Sequence, residues 1–220
     1  GDRVTLLQAR QGLIDSRLAA GETQEARSQG EELLQEARAH GFRRLEAHAL
    51  NLLGETARHD GRLARARKYY LQYLEIGREI RHIYKIAVSD LNLAQICAAE
   101  GDFETGFERL ERAKERLERL GAIGVRSLLA TARAALAAGT GDWPEFDRAL
   151  APYLGEWNDE TELSRDHPWL LELAGDYAAD ATRVERARRT WRLARRLWER
   201  LGDREAARQV ERKLEGLCPS

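Results

Sequence analysis

Four polar residues, His48, Asn51, Glu55 and His59, follow one another at spacings of three, four and four. In a helix these spacings place all four side chains on one face. A histidine and a carboxylate four residues apart can share a metal ion, but structural zinc prefers four ligands that include cysteine, and no cysteine is near in the sequence. We therefore expect no metal here, and the face either contacts a partner or is an ordinary solvated surface.

None of the common catalytic motifs occurs in the sequence. It lacks a G-x-x-x-x-G-K-[ST] phosphate loop, an H-E-x-x-H zinc motif and a G-x-S-x-G nucleophile motif. Cys97 lies at an apolar packing position of its helical pattern, with no basic residue in its own turn, which favours a small buried hydrophobe over a reactive thiol. The sequence thus predicts a non-catalytic protein without a cofactor.

The tryptophans are confined to the C-terminal part of the chain, between Trp143 and Trp198. Trp191 and Trp198 are seven residues apart on one helical pattern and are expected to pack in the core. Trp157 and Trp169 lie beside acidic residues, and an exposed aromatic side chain in such a place is typical of a binding anchor. Packing of an irregular repeat is the alternative for both.

Two blocks of opposite charge are adjacent in the same region. Residues 156–180 carry eight acidic residues and one arginine, whereas residues 183–200 carry eight arginines and two glutamates. The simplest interpretation is that the blocks neutralise one another across a helix pair. Nucleic-acid binding by the arginine-rich helix 183–200 is the alternative, but it lacks interleaved exposed aromatic residues and a recognised module.

The composition limits the class of partner and the compartment. The chain has 36 lysines and arginines against 37 acidic residues, so no overall field attracts it to DNA or to an anionic membrane. No run of about 18 apolar residues is present, so no transmembrane helix is expected. Two cysteines cannot form a disulfide framework, and residues 1–7 lack the features of a secretory signal, which predicts a cytoplasmic protein.

Helical patterns break at a fixed interval. Gly21, Gly61, Gly101 and Gly141 are 40 residues apart, and a further break falls near Thr182. Each interval holds two amphipathic helical patterns, and strand signals are missing, so the chain is predicted to be all-α. It forms a single domain of helix-pair repeats in this interpretation, with repeats at about 4–41, 42–81, 82–121, 122–157 and 164–202 and a capping helix at 203–217.

The small and large residues of these repeats resemble the tetratricopeptide repeat (TPR). Repeat two carries Leu50, Leu53, Gly54, Gly61, Ala66 and Tyr70, and repeat three carries Leu93, Ala94, Gly101, Gly106 and Leu110, at the positions of the family pattern. The period of 40 departs from the usual 34, so each helix is about a turn longer. The chain is in this respect similar to the extended repeats in the C-terminal arms of MalT-like ATP-binding regulators, in bacterial kinases with fused repeat arms and in peptide-sensing bacterial regulators.

The resemblance implies a right-handed α-α superhelix of about five helix pairs plus a C-terminal capping helix. It implies a non-catalytic module that binds a protein or peptide, as the regulatory or scaffolding arm of a larger bacterial signalling protein. The partner can also be another domain of its own parent chain, and self-association is the alternative function. Carried over by position, the concave, partner-binding face comprises Gln11, Asp15, His48, Asn51, Glu55, Arg58, His59, Leu91, Gln95, Thr131, Trp169 and Glu172.

Overall fold

The computed structural model of the chain describes residues 2–153 and 163–217, and these contain α-helices and two short 3₁₀ turns but no strand. The helices are α1 (Asp2–Ala19), α2 (Thr23–Ala39), α3 (Arg43–His59), α4 (Leu63–Glu79), α5 (Ile83–Glu100), α6 (Phe103–Arg119), α7 (Arg126–Thr140), α8 (Trp143–Leu150), α9 (Asp166–Asp180), α10 (Val184–Arg200) and α11 (Arg204–Gly216). The all-α prediction is confirmed. Within the described ranges, no helix is both long enough and apolar enough to cross a membrane.

Most of the helices, namely α1 to α7, α9 and α10, are followed by a residue with a left-handed backbone. After α1, Gly21 has φ 83°, its N–H donates to the Leu18 carbonyl at 3.0 Å, and the N–H of Glu22 donates to the Arg17 carbonyl at 2.9 Å. These two bonds satisfy carbonyls that the helix end would otherwise leave without partners. Arg81 and Thr182 hold the same position after α4 and α9, with φ 51° and 59°. The left-handed conformation costs a non-glycine residue roughly 1–2 kcal/mol of conformational free energy. At Arg81 and Thr182 the geometry of the turn therefore outweighs the preference of the residue for a negative φ.

The chain divides into two compact units within α5. Unit 1 spans 1–96 and unit 2 spans 97–220. In unit 1, α2 packs against α1 and also against α3, and α3 packs against α4, so each helix pair covers the apolar side of the next. The core of this unit includes Leu33, Leu50 and Leu53, all of which are buried.

Unit 2 repeats the same arrangement of packed pairs. Helix α7 packs against α6, α8 and α9, and α10 packs against both α9 and α11. The N-terminus of α8 is capped by the Asp142 carboxylate, which accepts the N–H of Glu145 at 3.1 Å. Trp191 and Trp198 are buried, which confirms their predicted packing in the core, whereas Trp157 lies outside the described residues.

Close approach between helices depends on glycine opposite an aromatic ring. A Cβ atom added at Gly54 would lie 2.4 Å from the Tyr70 ring, and one at Gly175 would lie 2.4 Å from the Trp191 ring. At Gly77, a Cβ atom would lie 3.3 Å from the backbone nitrogen of Ile86, so the two helices are closely packed there. The axes of two helices can lie close together at these points because the glycine has no side chain.

The charge blocks of unit 2 do not pair in the predicted way. Arg186 and Arg189 of α10 bind Asp147 of α8, with the nearest contacts at 2.7 and 3.0 Å, and Arg195 binds Glu211 of α11. For these three arginines, the expected neutralisation by the acidic block that precedes α10 is wrong. Their carboxylate partners come from other helices, because these guanidinium groups lie on the sides of α10 that adjoin α8 and α11.

Candidate functional site

A row of polar side chains links the first helices of successive repeats in unit 1. Asp15 of α1 accepts a hydrogen bond from the His48 ring of α3 at 2.8 Å, in the tautomer that places the proton on Nε2. Asn51 donates to Glu55 at 2.6 Å and accepts from Nδ2 of Asn92 of α5 at 2.8 Å. We call these five residues the polar row. Asp15 is exposed, and His48, Asn51 and Glu55 are half-buried, so the row is accessible along most of its length.

A groove of about 650 Å³ lies beside the polar row and shares His48 with it. It is formed by α1, by the start of α3 and by the turn that leads into α5. We call it the cationic groove, and its lining comprises Gln8, Gln11, Phe42, Arg43, Arg44, Leu45, His48, Ile80, His82 and Lys85.

Two cations of this groove have no carboxylate partner among the described residues. Arg43 is neutralised by Glu46, at 2.6 Å, and by Glu79. Arg44 and Lys85, in contrast, make no ion pair with any residue in the described ranges. Burial lowers the pKa of Lys85, and the positive charge of Arg44 lowers it further. The half-buried Lys85 and the exposed Arg44 therefore repel one another, and a bound anion would relieve this repulsion.

An aromatic contact and a backbone hydrogen bond hold Lys85 in position. Its ammonium group lies 5.6 Å from the centre of the Tyr73 ring, within the range of a cation–π interaction. Burial raises the pKa of Tyr73, with the negative charge of Glu55 as a further cause, so the phenol stays neutral. The N–H of Lys85 donates to the His82 ring at 3.4 Å at the start of α5. Lys85 thus reaches the groove from a fixed helix end.

The structure brings together some of the residues predicted for the binding face. Asp15, His48, Asn51 and Glu55 belong to the polar row, and Gln11 lines the cationic groove. His59 is half-buried one turn beyond Glu55. The role of these residues in binding a partner stays a prediction.

Four residues of the predicted face are buried, namely Arg58, Leu91, Gln95 and Thr131, each at most 2% exposed. The direct contact expected of them needs an accessibility that they lack. Arg58 donates through Nε to the Tyr70 hydroxyl at 3.3 Å, and the Thr131 hydroxyl donates to carbonyls of its own helix, at 3.1 Å. Every residue from 89 to 98 of α5 is buried, so Leu91 and Gln95 lie on a helix that is covered around its circumference.

In unit 2, Trp169 is half-buried on α9 and Glu172 takes part in a contact between three helices. The Glu172 carboxylate accepts a hydrogen bond from the Trp198 indole of α10 at 2.5 Å, and it lies 3.3 Å from the Lys213 ammonium group of α11. Lys213 also binds Asp176 at 2.7 Å. Glu172 is therefore engaged by its own chain, although part of its side chain remains accessible.

The wild-type protein is expected to gain stability relative to Glu172→Gln as the pH falls from 7 to 5. Burial is the largest influence on Glu172, and it raises the pKa of this carboxyl group. The hydrogen bond from Trp198 and the charge of Lys213 lower the pKa, whereas the negative charge of Asp176 raises it further. A raised pKa means that the folded state holds the proton more tightly than the unfolded state does. The stabilisation that comes from protonated Glu172 is complete at pH values below the pKa of this group in the unfolded state. It is lost as the pH rises through the pKa of this group in the folded state. Urea unfolding of both proteins at several pH values measures the difference.

The exposed Glu205→Gln variant is the control for removal of a carboxylate from this region. A stability difference between wild type and Glu172→Gln that stays constant from pH 7 to 5 would contradict the role assigned to burial.

Sequence reasoning missed three residues of this site: Arg44, Lys85 and Asn92. A signal for them is present, because Arg44 and Lys85 are 41 residues apart and Asn51 and Asn92 are also 41 residues apart. Both pairs are thus separated by one repeat period plus one residue. A search for polar residues at that offset would have found them.

Known structures show the same architecture. A Rap protein in the crystal structure of its complex with Competence and Sporulation Factor matches 99% of this chain at 12% identity, with a TM-score of 0.67, and this chain spans 64% of the length of that one. The TPR-like repeats of a candidate kinesin light chain from Podosopora anserina match 96% of this chain at 16% identity, with a TM-score of 0.54, and 94% of that chain is covered.

No family model and no curated protein matches the sequence. At these low identities the structural likeness reports the fold alone. The fold of this chain is a TPR-like array of helix pairs.

Proposed function

We propose that this chain is a non-catalytic peptide-binding module and that unit 1 holds the peptide along the polar row and the cationic groove. The observation that carries the proposal is the pair of cations, Arg44 and Lys85, that no carboxylate of the described residues neutralises. A carboxylate of the peptide, at its C-terminus or on an acidic side chain, would lie between them. Guanidinium and ammonium groups bind carboxylates through charge-assisted hydrogen bonds, which are the strong ones.

The polar row would hold the backbone of the peptide. An extended peptide presents a donor and an acceptor at each residue, and the half-buried side-chain amide of Asn51 carries both kinds of group. One N–H of Asn51 is used by Glu55, and its oxygen accepts from Asn92, which leaves its second N–H to donate to a peptide carbonyl. The hydrogen bonds already made fix the orientation of the amide, so little freedom is lost on binding.

Comparison with known structures supports a binding module. The Rap structure matches 99% of the residues of this chain, and it is a complex with a second molecule. A catalytic role would need an enclosed site with convergent titratable groups, and the cationic groove is open. We further propose that the module is cytoplasmic and acts as the regulatory arm of a larger bacterial signalling protein, as the extended TPR pattern implies.

Selection from a library of displayed random heptapeptides tests the proposal. The full chain is expected to enrich peptides that carry a carboxylate, and fluorescence anisotropy then measures the affinity of the enriched peptides. Asn51→Ala is expected to weaken binding about tenfold, because one or two hydrogen bonds are lost. Failure to enrich any peptide, or enrichment that Asn51→Ala and Arg44→Glu leave unchanged, would contradict the proposal.

Self-association is a second candidate function, and the surface of α1 favours it. Leu6 and Leu13 are seven residues apart on one side of this helix and are 60% and 51% exposed. Leu7 and Ile14, which lie about 100° around the helix from them, are buried in the core. Helix α1 therefore has a second apolar stripe that its own unit does not cover.

Sedimentation velocity separates the two candidates. The peptide-binding proposal expects a monomer at micromolar concentration. If the chain self-associates through α1, a dimer is expected that dissociates in Leu13→Glu, since burial of a charge in an apolar interface is strongly unfavourable. A dimer that Leu13→Glu leaves intact would exclude the α1 surface.

A further inference from the structure

Helices α10 and α11 enclose a groove of about 750 Å³ in unit 2, far along the chain from the cationic groove. Five arginines of α10 line it, together with three glutamates, and Leu193 and Leu214 lie at its base, where Leu193 is buried and Leu214 is half-buried. Arginine therefore predominates in the groove. We call it the arginine groove.

Three of the five arginines are neutralised by the chain itself. Arg188 binds Glu185 at 2.9 Å, Arg189 binds Asp147 at 3.0 Å and Arg195 binds Glu211. These pairs use Glu185 and Glu211, two of the three glutamates that line the groove. They also fix the three guanidinium groups in place.

The other two, Arg192 and Arg196, are exposed and make no ion pair with any residue from 2 to 153 or from 163 to 217. The residues three and four positions before Arg192 are arginines, and so are the residues three and four positions after it. Like charges at these spacings destabilise an isolated helix. The sequence thus concentrates positive charge at one place on α10 without a compensating acid.

From this arrangement we infer that the arginine groove binds an acidic segment of a partner protein, with two carboxylates one helical turn apart. Arg192 and Arg196 are four residues apart, so their guanidinium groups project from successive turns and match that spacing. Each guanidinium can bind a carboxylate through two parallel hydrogen bonds. Leu214, which is half-buried, provides apolar surface for the side chains between the two acids.

The walls of the groove favour a protein over a nucleic acid. Glu211 and Glu215 line it alongside the arginines, and a phosphodiester backbone would be repelled by them. A protein segment can instead place neutral or basic side chains opposite these glutamates. No aromatic residue lines the groove to stack on bases, which single-strand binding sites normally provide.

The test uses the full chain and a fluorescein-labelled, alanine-rich helical peptide with glutamates at positions i and i+4. This peptide is expected to bind, whereas the same peptide with glutamine in place of both glutamates is not. Arg192→Gln combined with Arg196→Gln is expected to weaken binding about tenfold or more, which corresponds to about 1.4 kcal/mol. Both positions are exposed, so circular dichroism should show an unchanged helical melt.

Arg208→Gln combined with Arg212→Gln is the matched control, because these arginines are also four apart and exposed but lie outside the groove on α11. Equal weakening by the control, equal binding of the glutamine peptide, or full competition by a single-stranded oligonucleotide of the same charge would each overturn the inference. Arg44→Glu should leave this binding unchanged, so failure here is distinguishable from failure of the proposed peptide site in unit 1.

Discussion

Reversal of charge at Arg44 and Lys85 is expected to weaken the binding of a selected carboxylate-bearing peptide by about 100-fold or more. Loss of a hydrogen-bonded charge partner in a desolvated site costs roughly 2–5 kcal/mol. Lys85 is half-buried, and burial already lowers its pKa, so the charge it presents is poorly screened by water. A glutamate at either position would place a negative charge against the peptide carboxylate. Fluorescence anisotropy of the labelled peptide measures the change.

Lys68→Glu combined with Arg78→Glu is the matched control. These two cations are exposed on α4 and lie outside the cationic groove, and the change in net charge is the same. If the control weakens binding as much as the groove variants do, the effect arises from overall charge. Lys85→Gln is a milder variant that removes the positive charge without adding a negative one, and its affinity should fall between those of wild type and Lys85→Glu.

Gly54→Ala is expected to lower the free energy of unfolding by about 2 kcal/mol or more, although it adds a single methyl group. The new Cβ atom would lie 2.4 Å from Cε1 of Tyr70, which is much closer than van der Waals contact. The Tyr70 ring is fully buried, and its hydroxyl accepts a hydrogen bond from Arg58, so it cannot move aside without loss. Urea unfolding followed by circular dichroism measures the effect.

Two further variants test the physical reason. Gly12→Ala, at an exposed position of α1 with no atom within 4 Å of the added Cβ, should stabilise the protein by about 0.5–1 kcal/mol. Combining Gly54→Ala with Tyr70→Leu should cost less than the sum of the two single changes, because leucine leaves room for the methyl group. Additive effects would show that Gly54 and Tyr70 do not constrain one another.

The same pairing occurs at equivalent positions elsewhere in the chain. Gly175 precedes Trp191 by 16 residues, as Gly54 precedes Tyr70, whereas Ala134 precedes Leu150 by the same interval. Glycine accompanies an aromatic residue and alanine accompanies leucine. This compensation of volume between the two helices of a pair is why the repeat pattern in the sequence predicts the fold so well.

The binding face was harder to predict because it depends on the rotation of each helix about its own axis. With an exact period of 40, the residue equivalent to Asn51 in the next repeat is Leu91. In the structure, however, Asn51 is hydrogen-bonded to Asn92. A shift of one residue turns a helical position by about 100°. Leu91 has a further reason to be buried, because residues 89–98 are buried on all sides of α5 and a different rotation of this helix would not expose it.

The charge blocks illustrate a second limit of sequence reasoning. Adjacent blocks of opposite sign predict neutralisation between neighbours in the chain, whereas Arg186 and Arg189 bind Asp147, about one repeat earlier. In a repeat array, helices one period apart can be neighbours in space, and composition alone does not distinguish them from helices adjacent in sequence. The surplus of Arg192 and Arg196 is visible only when these pairings are known.

Hydrogen exchange of the full chain with and without a selected carboxylate-bearing peptide tests the central claim most directly, because it locates the peptide without any substitution. Binding along the polar row and the cationic groove predicts slower exchange in α1, in the first half of α3 and at the start of α5. Slower exchange confined to unit 2, or no change in these three segments at a saturating peptide concentration, would contradict the account.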